Sequence, residues 1–300
     1  MQQEYIPFCT VNKSKNINIC TKFSQPQEYI MNRPKGNHIP MLTPRKQFQQ
    51  DGFYLTTSVL PAELIERAIP HMDAVMMGEY ETGIPPHSRL WNPGEDSHKI
   101  RKIDEAHMSD RTIYELFTHL EIGRWAAELM DARWIQLWAS QLLYKPPGGR
   151  AAGHVGWHQD TQYWKYWQAG SEVFTAWIAV GDVTEDMGAM RFVRGSHHWG
   201  DLKGGNFFDS DHDAQQKAIK LPPEETWEEE AAVLPSGAIS FHHSYTLHGS
   251  GSNTSYCPRR SFALHLRTER SRPIKDKDED SYYVAHLDDL KLHPVIYNAG

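Results

Sequence analysis

Between residues 134 and 268 the chain breaks into short extended runs closed by glycine or proline. No other sequence feature limits the fold as much. Residues 135–144 read as one strand, stopped by Lys145-Pro146-Pro147-Gly148-Gly149. Residues 174–180, 190–193, 231–234, 237–242 and 260–266 read as others, and Arg194-Gly195-Ser196 ends the run at 190–193. Aromatic and branched side chains fit a pleated surface, and Gly/Pro clusters interrupt it. Many short strands with such punctuation predict an all-β barrel or jelly roll.

Helices are expected before that region. Residues 48–55 read as a short helix ending at Gly52, followed by a strand. Proline in the first turn at Pro61 opens a second helix, whose apolar positions 64, 65, 68, 69 and 72 recur at helical spacing. Residues 112–131 form one further helical region. These helices would pack outside the β core. Residues 1–43 are polar, with Pro26, Pro34 and Pro40, and read as a partly irregular extension. Residues 44–300 then form a single domain. Residues 201–230 and 269–285 are charged and turn-rich, and are expected to be solvated loops.

Several partners are excluded as expectations. The net charge is −7 and no basic run exists, which speaks against nucleic acid. No apolar run approaches the ~20 residues of a membrane helix. The first residues are polar and carry no leader pattern. Three cysteines, Cys9, Cys20 and Cys257, are odd in number and irregularly spaced, which reads as reduced thiols in a cytoplasmic protein. A monomer or homodimer acting on a small molecule is the expected form. Ten Trp and 13 Tyr can line a deep pocket as well as fill a core.

The chemistry centres on Gly156-Trp157-His158-Gln159-Asp160. In an extended chain, positions i and i+2 face one side. His158 and Asp160 can therefore aim a nitrogen and a carboxylate oxygen at one point. A second histidine would complete two-His-one-carboxylate ligation, the pattern that holds non-haem Fe(II) and leaves coordination positions open. His248, in the turn after the strand at 237–242, is the favoured partner. His242 and His243 are alternatives that read better as structural histidines. Arg259 follows His248 by eleven positions, and its planar fork suits the far carboxylate of a 2-oxo acid. Arg260 should point the opposite way. Trp164, Trp167 and Tyr163 are equally suited to core or pocket wall, and Arg191 to the barrel interior or a surface ion pair.

Taken in order, these pieces resemble the phytanoyl-CoA dioxygenase family of Fe(II)- and 2-oxoglutarate-dependent oxygenases, from about residue 45 to 270. The pieces are His158-Gln159-Asp160, Ala176-Trp177-Ile178-Ala179, Met187-Gly188-Ala189-Met190 through Arg194-Gly195-Ser196-His197, His248-Gly249-Ser250-Gly251, and Arg259. The resemblance implies a double-stranded β-helix of the jelly-roll, cupin-like type, mainly β with flanking helices. It implies that His158, Asp160 and His248 bind iron and that Arg259 holds 2-oxoglutarate. Lys99, Gln141, Trp177 and Ser250 match further pocket positions of the family. The implied reaction uses O₂ and 2-oxoglutarate, releases succinate and CO₂, and oxidises an unactivated C–H bond of a small molecule, with a biosynthetic role expected. Relatives that halogenate lack the carboxylate ligand, which is present here as Asp160. The competing expectations are a cupin-type metalloenzyme that needs no 2-oxoglutarate, and a non-catalytic binding protein on the same fold.

Overall fold

The computed structural model describes residues 10–12, 17–19, 42–149, 153–274 and 282–300. The chain divides into two compact units, residues 1–42 and 43–300, each taken by itself. In the first, β1 (Thr10–Asn12) and β2 (Ile17–Ile19) pair antiparallel, Thr10 opposite Ile19. The rest of the expected extension lies outside the described residues.

The second unit opens with α1 (Pro44–Asp51). Thr43 caps it by accepting from the Lys46 amide, and Pro44 sits where a missing N–H costs nothing. Gly52 ends it at φ 82°, and a Cβ there would meet the His197 ring at 2.4 Å, so only glycine fits this stop. Strand β3 (Phe53–Ser58) and helix α2 (Ala62–Met76) follow. Leu64, Ile65, Ala68, Met72 and Val75 of α2 are buried, which is the spacing expected of its apolar face. Next come β4 (Ser88–Arg89), β5 (Arg101–Asp104), α3 (Arg111–Phe117) and α4 (Leu120–Met130).

The helical region expected over 112–131 is thus two helices. Asp110 caps α3 through the Ile113 amide. Thr118 turns its hydroxyl back to the Tyr114 carbonyl, and His119 caps α4 through the Glu121 amide. Side chains that bond the local backbone break a run whose apolar period continues through the break.

The remaining elements are β6 (Trp134–Lys145), β7 (Val155–His158), β8 (Val173–Ala179), β9 (Met190–Val193), α5 (His212–Ala218), β10 (Glu229–Ala231), β11 (Ala238–His243), β12 (His248–Ser250), β13 (Arg259–Thr268), α6 (Tyr282–Ala285) and β14 (Val295–Asn298). Among the described residues of this unit, two antiparallel sheets form. The larger runs β3-β11-β8-β13-β6-β5-β4, with β14 also on β6, and the smaller runs β10-β9-β12-β7. The fold is mainly β, with the expected jelly-roll core and flanking helices.

Strand β8 shows how the layers are built, because every residue in it is buried. Phe174, Ala176 and Ile178 face the helices and join a core with Leu64, Met72, Leu116 and Phe117. The alternate residues Thr175 and Trp177 face the other way, into the barrel. Each large apolar side chain buried in the helical layer stabilises the fold by about 1.5–3 kcal/mol. That layer clamps the larger sheet from behind and leaves its inner face free for polar groups.

Three further expectations need correction. The strand expected at 231–234 is displaced: β10 covers Glu229–Ala231, and Leu234 makes only an isolated bridge to Val183. The segment 201–230 is more than solvated loop. It contains α5, whose Gln215 is buried and bonds Trp157 and Asn206. Finally, Cys257 is disulfide-bonded and is not a reduced thiol. Among the described residues, no helix is long and apolar enough to cross a membrane.

Candidate active site

His158 is the last residue of β7, and His248 is the first of β12. The sheet register sets them directly opposite one another, with ring centroids 4.2 Å apart. Gln159 stays extended, at φ −109° and ψ 136°, so Asp160 returns to the side His158 faces. The Gln159 side chain is fully buried on the other side. It donates to the Gly200 and Tyr245 carbonyls and accepts from the Leu202 amide. The middle residue of His-Gln-Asp therefore pins two loops while its neighbours point inward.

Each imidazole is held in one tautomer. The His158 Nδ1–H donates to the Gly156 carbonyl at 2.8 Å, and the His248 Nδ1–H to the Thr246 carbonyl at 2.9 Å. A carbonyl can only accept, so both Nε2 atoms are left with bare lone pairs. Each Nε2 lies 3.8 Å from Asp160 Oδ1. One ligand atom from each of His158, Asp160 and His248 falls within 4.8 Å of the others. Burial, with the neighbouring His158 and His242, pushes the His248 imidazole well below its ordinary pKa and so keeps it neutral. Burial by itself would raise the Asp160 carboxyl. The hydrogen bond from His242 and the adjacent His248 and His265 outweigh this and hold it well below the usual carboxylate range. Two neutral imidazoles and one carboxylate, converging beside a cavity, fit a divalent ion such as Fe(II).

The second Asp160 oxygen is also engaged. Thr175 Oγ1 donates to Oδ2 at 3.0 Å and lies 2.9 Å from His265 Nδ1. His242 Nε2 is 3.4 Å from the same oxygen. His242 thus stands beside the cluster without joining it, while the His243 ring turns toward His197. Such outer contacts orient a ligating group and tune its basicity.

The cluster opens on a cavity of about 250 Å³. Gln141, Trp177, Ser250 and Arg259 line it. Arg259 is buried, and its guanidinium lies 5.2 Å from the Trp177 ring centroid. Lys99 does not reach the cavity. It is exposed, in the loop ahead of β5, and the lysine on the wall is Lys102, bound to Asp104 at 2.7 Å. Strand alternation separates the two: in β5, Lys102 and Asp104 share a face, and position 99 precedes the strand. Thr175 was missed from sequence, although it alternates with Trp177 along an apolar strand.

Tyr163, Trp164, Phe207 and Phe208 form the other wall. Trp167 instead packs with Trp138 and Val173. The Phe207 ring meets His158 edge-on at 5.1 Å. Its amide donates to the Tyr163 hydroxyl, and its carbonyl accepts from the Gly156 amide. A Cβ at Gly156 would lie 2.2 Å from the Asn206 carbonyl oxygen, so glycine lets this loop reach the ligand strand. Arg191 faces outward and pairs with Glu229 at 2.7 Å. Arg260 turns to Asp73 at 3.0 Å, away from Arg259.

With this geometry in place, comparison with known proteins gives a consistent result. The phytanoyl-CoA dioxygenase (PhyH) family matches residues 48–261. A probable alpha-ketoglutarate-dependent hypophosphite dioxygenase of Stutzerimonas stutzeri is 23% identical over 241 residues, covering 77% of this chain and 79% of its own. Two solved structures share the fold. The epimerase SnoN, in complex with Fe3+, alpha ketoglutarate and nogalamycin RO, has a TM-score of 0.59 at 20% identity, over 77% of this chain and 84% of its own. The carbocyclase SnoK from nogalamycin biosynthesis has a TM-score of 0.59 at 21% identity, over 77% and 85%.

Proposed function

Because the chain belongs to the phytanoyl-CoA dioxygenase family, we propose that its iron is held by His158, Asp160 and His248 and its 2-oxoglutarate by Arg259. The protein is an Fe(II)- and 2-oxoglutarate-dependent oxygenase. Bound together, the metal and co-substrate supply oxidising power from O₂ as 2-oxoglutarate becomes succinate and CO₂. The observation that carries the residue assignment is the lone-pair geometry, in which both Nδ1–H groups are bound to backbone and both Nε2 atoms face Asp160.

The chain's own residues do the remaining work. Arg259 presents a buried fork to the far carboxylate, with Gln141, Trp177 and Ser250 on the wall beside it. Thr175 fixes the outer oxygen of Asp160, so that Oδ1 stays turned to the metal position. Phe207, edge-on to His158, and Trp164 line the cavity and would limit water beside the metal position.

The substrate is a small, largely apolar molecule oxidised at an unactivated C–H bond in a biosynthetic pathway. The aromatic wall of Tyr163, Trp164, Phe207 and Phe208 supports this reading. So does the pairing of Lys102, another lining residue, with Asp104, which ties up that cation among the described residues. The catalytic unit is residues 44–300 as one domain, with its jelly-roll core at about 134–268. It acts as a monomer or homodimer, without nucleic acid or membrane.

An anaerobic titration of the metal-free protein with Fe(II), then 2-oxoglutarate, tests the core of this reading. A visible charge-transfer band that needs both additions is the expected result, with succinate released once O₂ and a substrate are admitted. Iron binding without the band would point to chemistry independent of 2-oxoglutarate, and no iron binding would overturn the metal assignment.

A further inference from the structure

Lys145 ends β6 and Arg259 begins β13, and the register sets the two directly opposite each other. Both are buried, at 0% and 4% exposure. Like charges directly opposite on neighbouring strands repel, and a buried ion costs several kcal/mol unless it is paired. Among the described residues, no carboxylate pairs with either. Lys145 Nζ donates to Ser250 Oγ at 2.7 Å and to the Gly251 carbonyl. Arg259 donates one Nη1–H to the Gly188 carbonyl, and its Nε–H has no partner. Burial and the adjacent Arg259 push the Lys145 ammonium well below its ordinary pKa, and His154 is the other titratable group that feels its charge. Two buried basic side chains stand side by side here, and donors with no carboxylate partner suit an anion.

Ser250 links this pair to the cavity. Its hydroxyl has one hydrogen and two lone pairs. Lys145 occupies a lone pair from behind, which leaves the hydrogen to donate elsewhere. Ser250 and Arg259 both line the cavity, whereas Lys145 stands behind the wall. We infer that Lys145 is a positioning residue for the far carboxylate of 2-oxoglutarate, holding a lone pair of Ser250 Oγ and so turning the Ser250 hydroxyl into a donor toward it. This rests on the reading of Arg259 as the co-substrate anchor. Arg259 and Ser250 would touch the carboxylate, and Lys145 acts through them.

The test is calorimetric binding to the full-length protein loaded with Mn(II) under anaerobic conditions. The probes are 2-oxoglutarate and 2-oxobutyrate, which share the metal-binding head but differ in the far carboxylate. Lys145→Met should weaken 2-oxoglutarate about tenfold or more, the worth of one hydrogen bond to a charged group, and leave 2-oxobutyrate essentially unchanged. Turnover by the Fe(II) enzyme should show a raised KM for 2-oxoglutarate and a nearly unchanged kcat. Adding Ser250→Ala to Lys145→Met should cost little more, because the two act as one unit. Unchanged affinity for 2-oxoglutarate, or an equal loss for both acids, overturns the inference. If Lys145→Met does not fold, Ser250→Ala alone decides: it must discriminate between the two acids or the inference falls. Arg259→Ala runs in parallel. If it too fails to discriminate, the anchor reading itself fails. If it discriminates while Lys145→Met does not, only the role of Lys145 is lost.

Discussion

His158 and His248 stand directly opposite each other on β7 and β12, with their Nδ1–H groups tied to the carbonyls two residues before them. The same local bond thus fixes both rings, and the sheet register brings the two Nε2 atoms together. His158→Ala and Asp160→Ala should each abolish Fe(II) binding and succinate release while leaving the far-UV circular dichroism unchanged. Full turnover in either variant would remove that residue from the metal site.

Thr175 is expected to tune that site from outside. Its hydroxyl holds Asp160 Oδ2 and meets His265. Thr175→Val keeps the shape and deletes the bond, so Fe(II) affinity should fall about 10–100-fold. Competition with a chelator of known affinity measures this, and an unchanged affinity would show that Asp160 needs no such support.

Arg259→Ala should raise the apparent requirement for 2-oxoglutarate sharply. Losing one partner of a buried charged pair costs about 2–5 kcal/mol, equivalent to roughly thirtyfold or more in affinity. Initial rates of succinate release against 2-oxoglutarate concentration check it. A curve superimposable on that of the native enzyme would place the anchor elsewhere.

Glu105 sets a pH dependence of stability. It is fully buried, and its carboxylate oxygens accept from the Ser140 amide and hydroxyl. Burial pushes its carboxyl up to about 8. Below the ordinary carboxyl range the group is protonated in both folded and unfolded chains. As pH rises from there to about 8, the unfolded chain releases the proton while the folded chain keeps it. Stability therefore falls across that window and levels off above it. Glu105→Gln should flatten this slope by up to a few kcal/mol, read from urea unfolding at a series of pH values. An unaltered slope would assign the dependence to other groups.

Gly156→Ala should destabilise the protein by about 1–3 kcal/mol, the range for overpacking. Its Cβ would press on the carbonyl oxygens of Asn206 and Asp209, at 2.2 and 2.6 Å. Because that loop carries Phe207 over His158, the substrate KM should rise along with the drop in Tm. A variant with native Tm would mean that the loop yields without cost.

Much of the site was legible in the sequence because its signals are local. His-Gln-Asp works through strand alternation, which a sequence displays directly; His248 was expected in a turn and instead opens the short strand β12. Lys99 shows the limit. A lysine near a strand start is visible, but which lysine faces inward depends on where pairing begins, and β5 begins at Arg101. The reading of residues 201–230 as solvated failed for a related reason. Charged and turn-forming residues report solvent preference, and the buried contacts of Gln215 and Phe207 are made with a distant strand.

The sequence by itself determined the jelly-roll class and singled out the candidate ligands, two histidines and a carboxylate, with the arginine that follows them. Period-2 alternation and turn chemistry are properties of neighbouring residues. Only the tertiary structure decided which residues meet across strands: His158 with His248, Lys145 with Arg259, and Thr175 between Asp160 and His265. These pairings depend on register between segments far apart in the chain. A shift of one residue would turn each side chain to the opposite face.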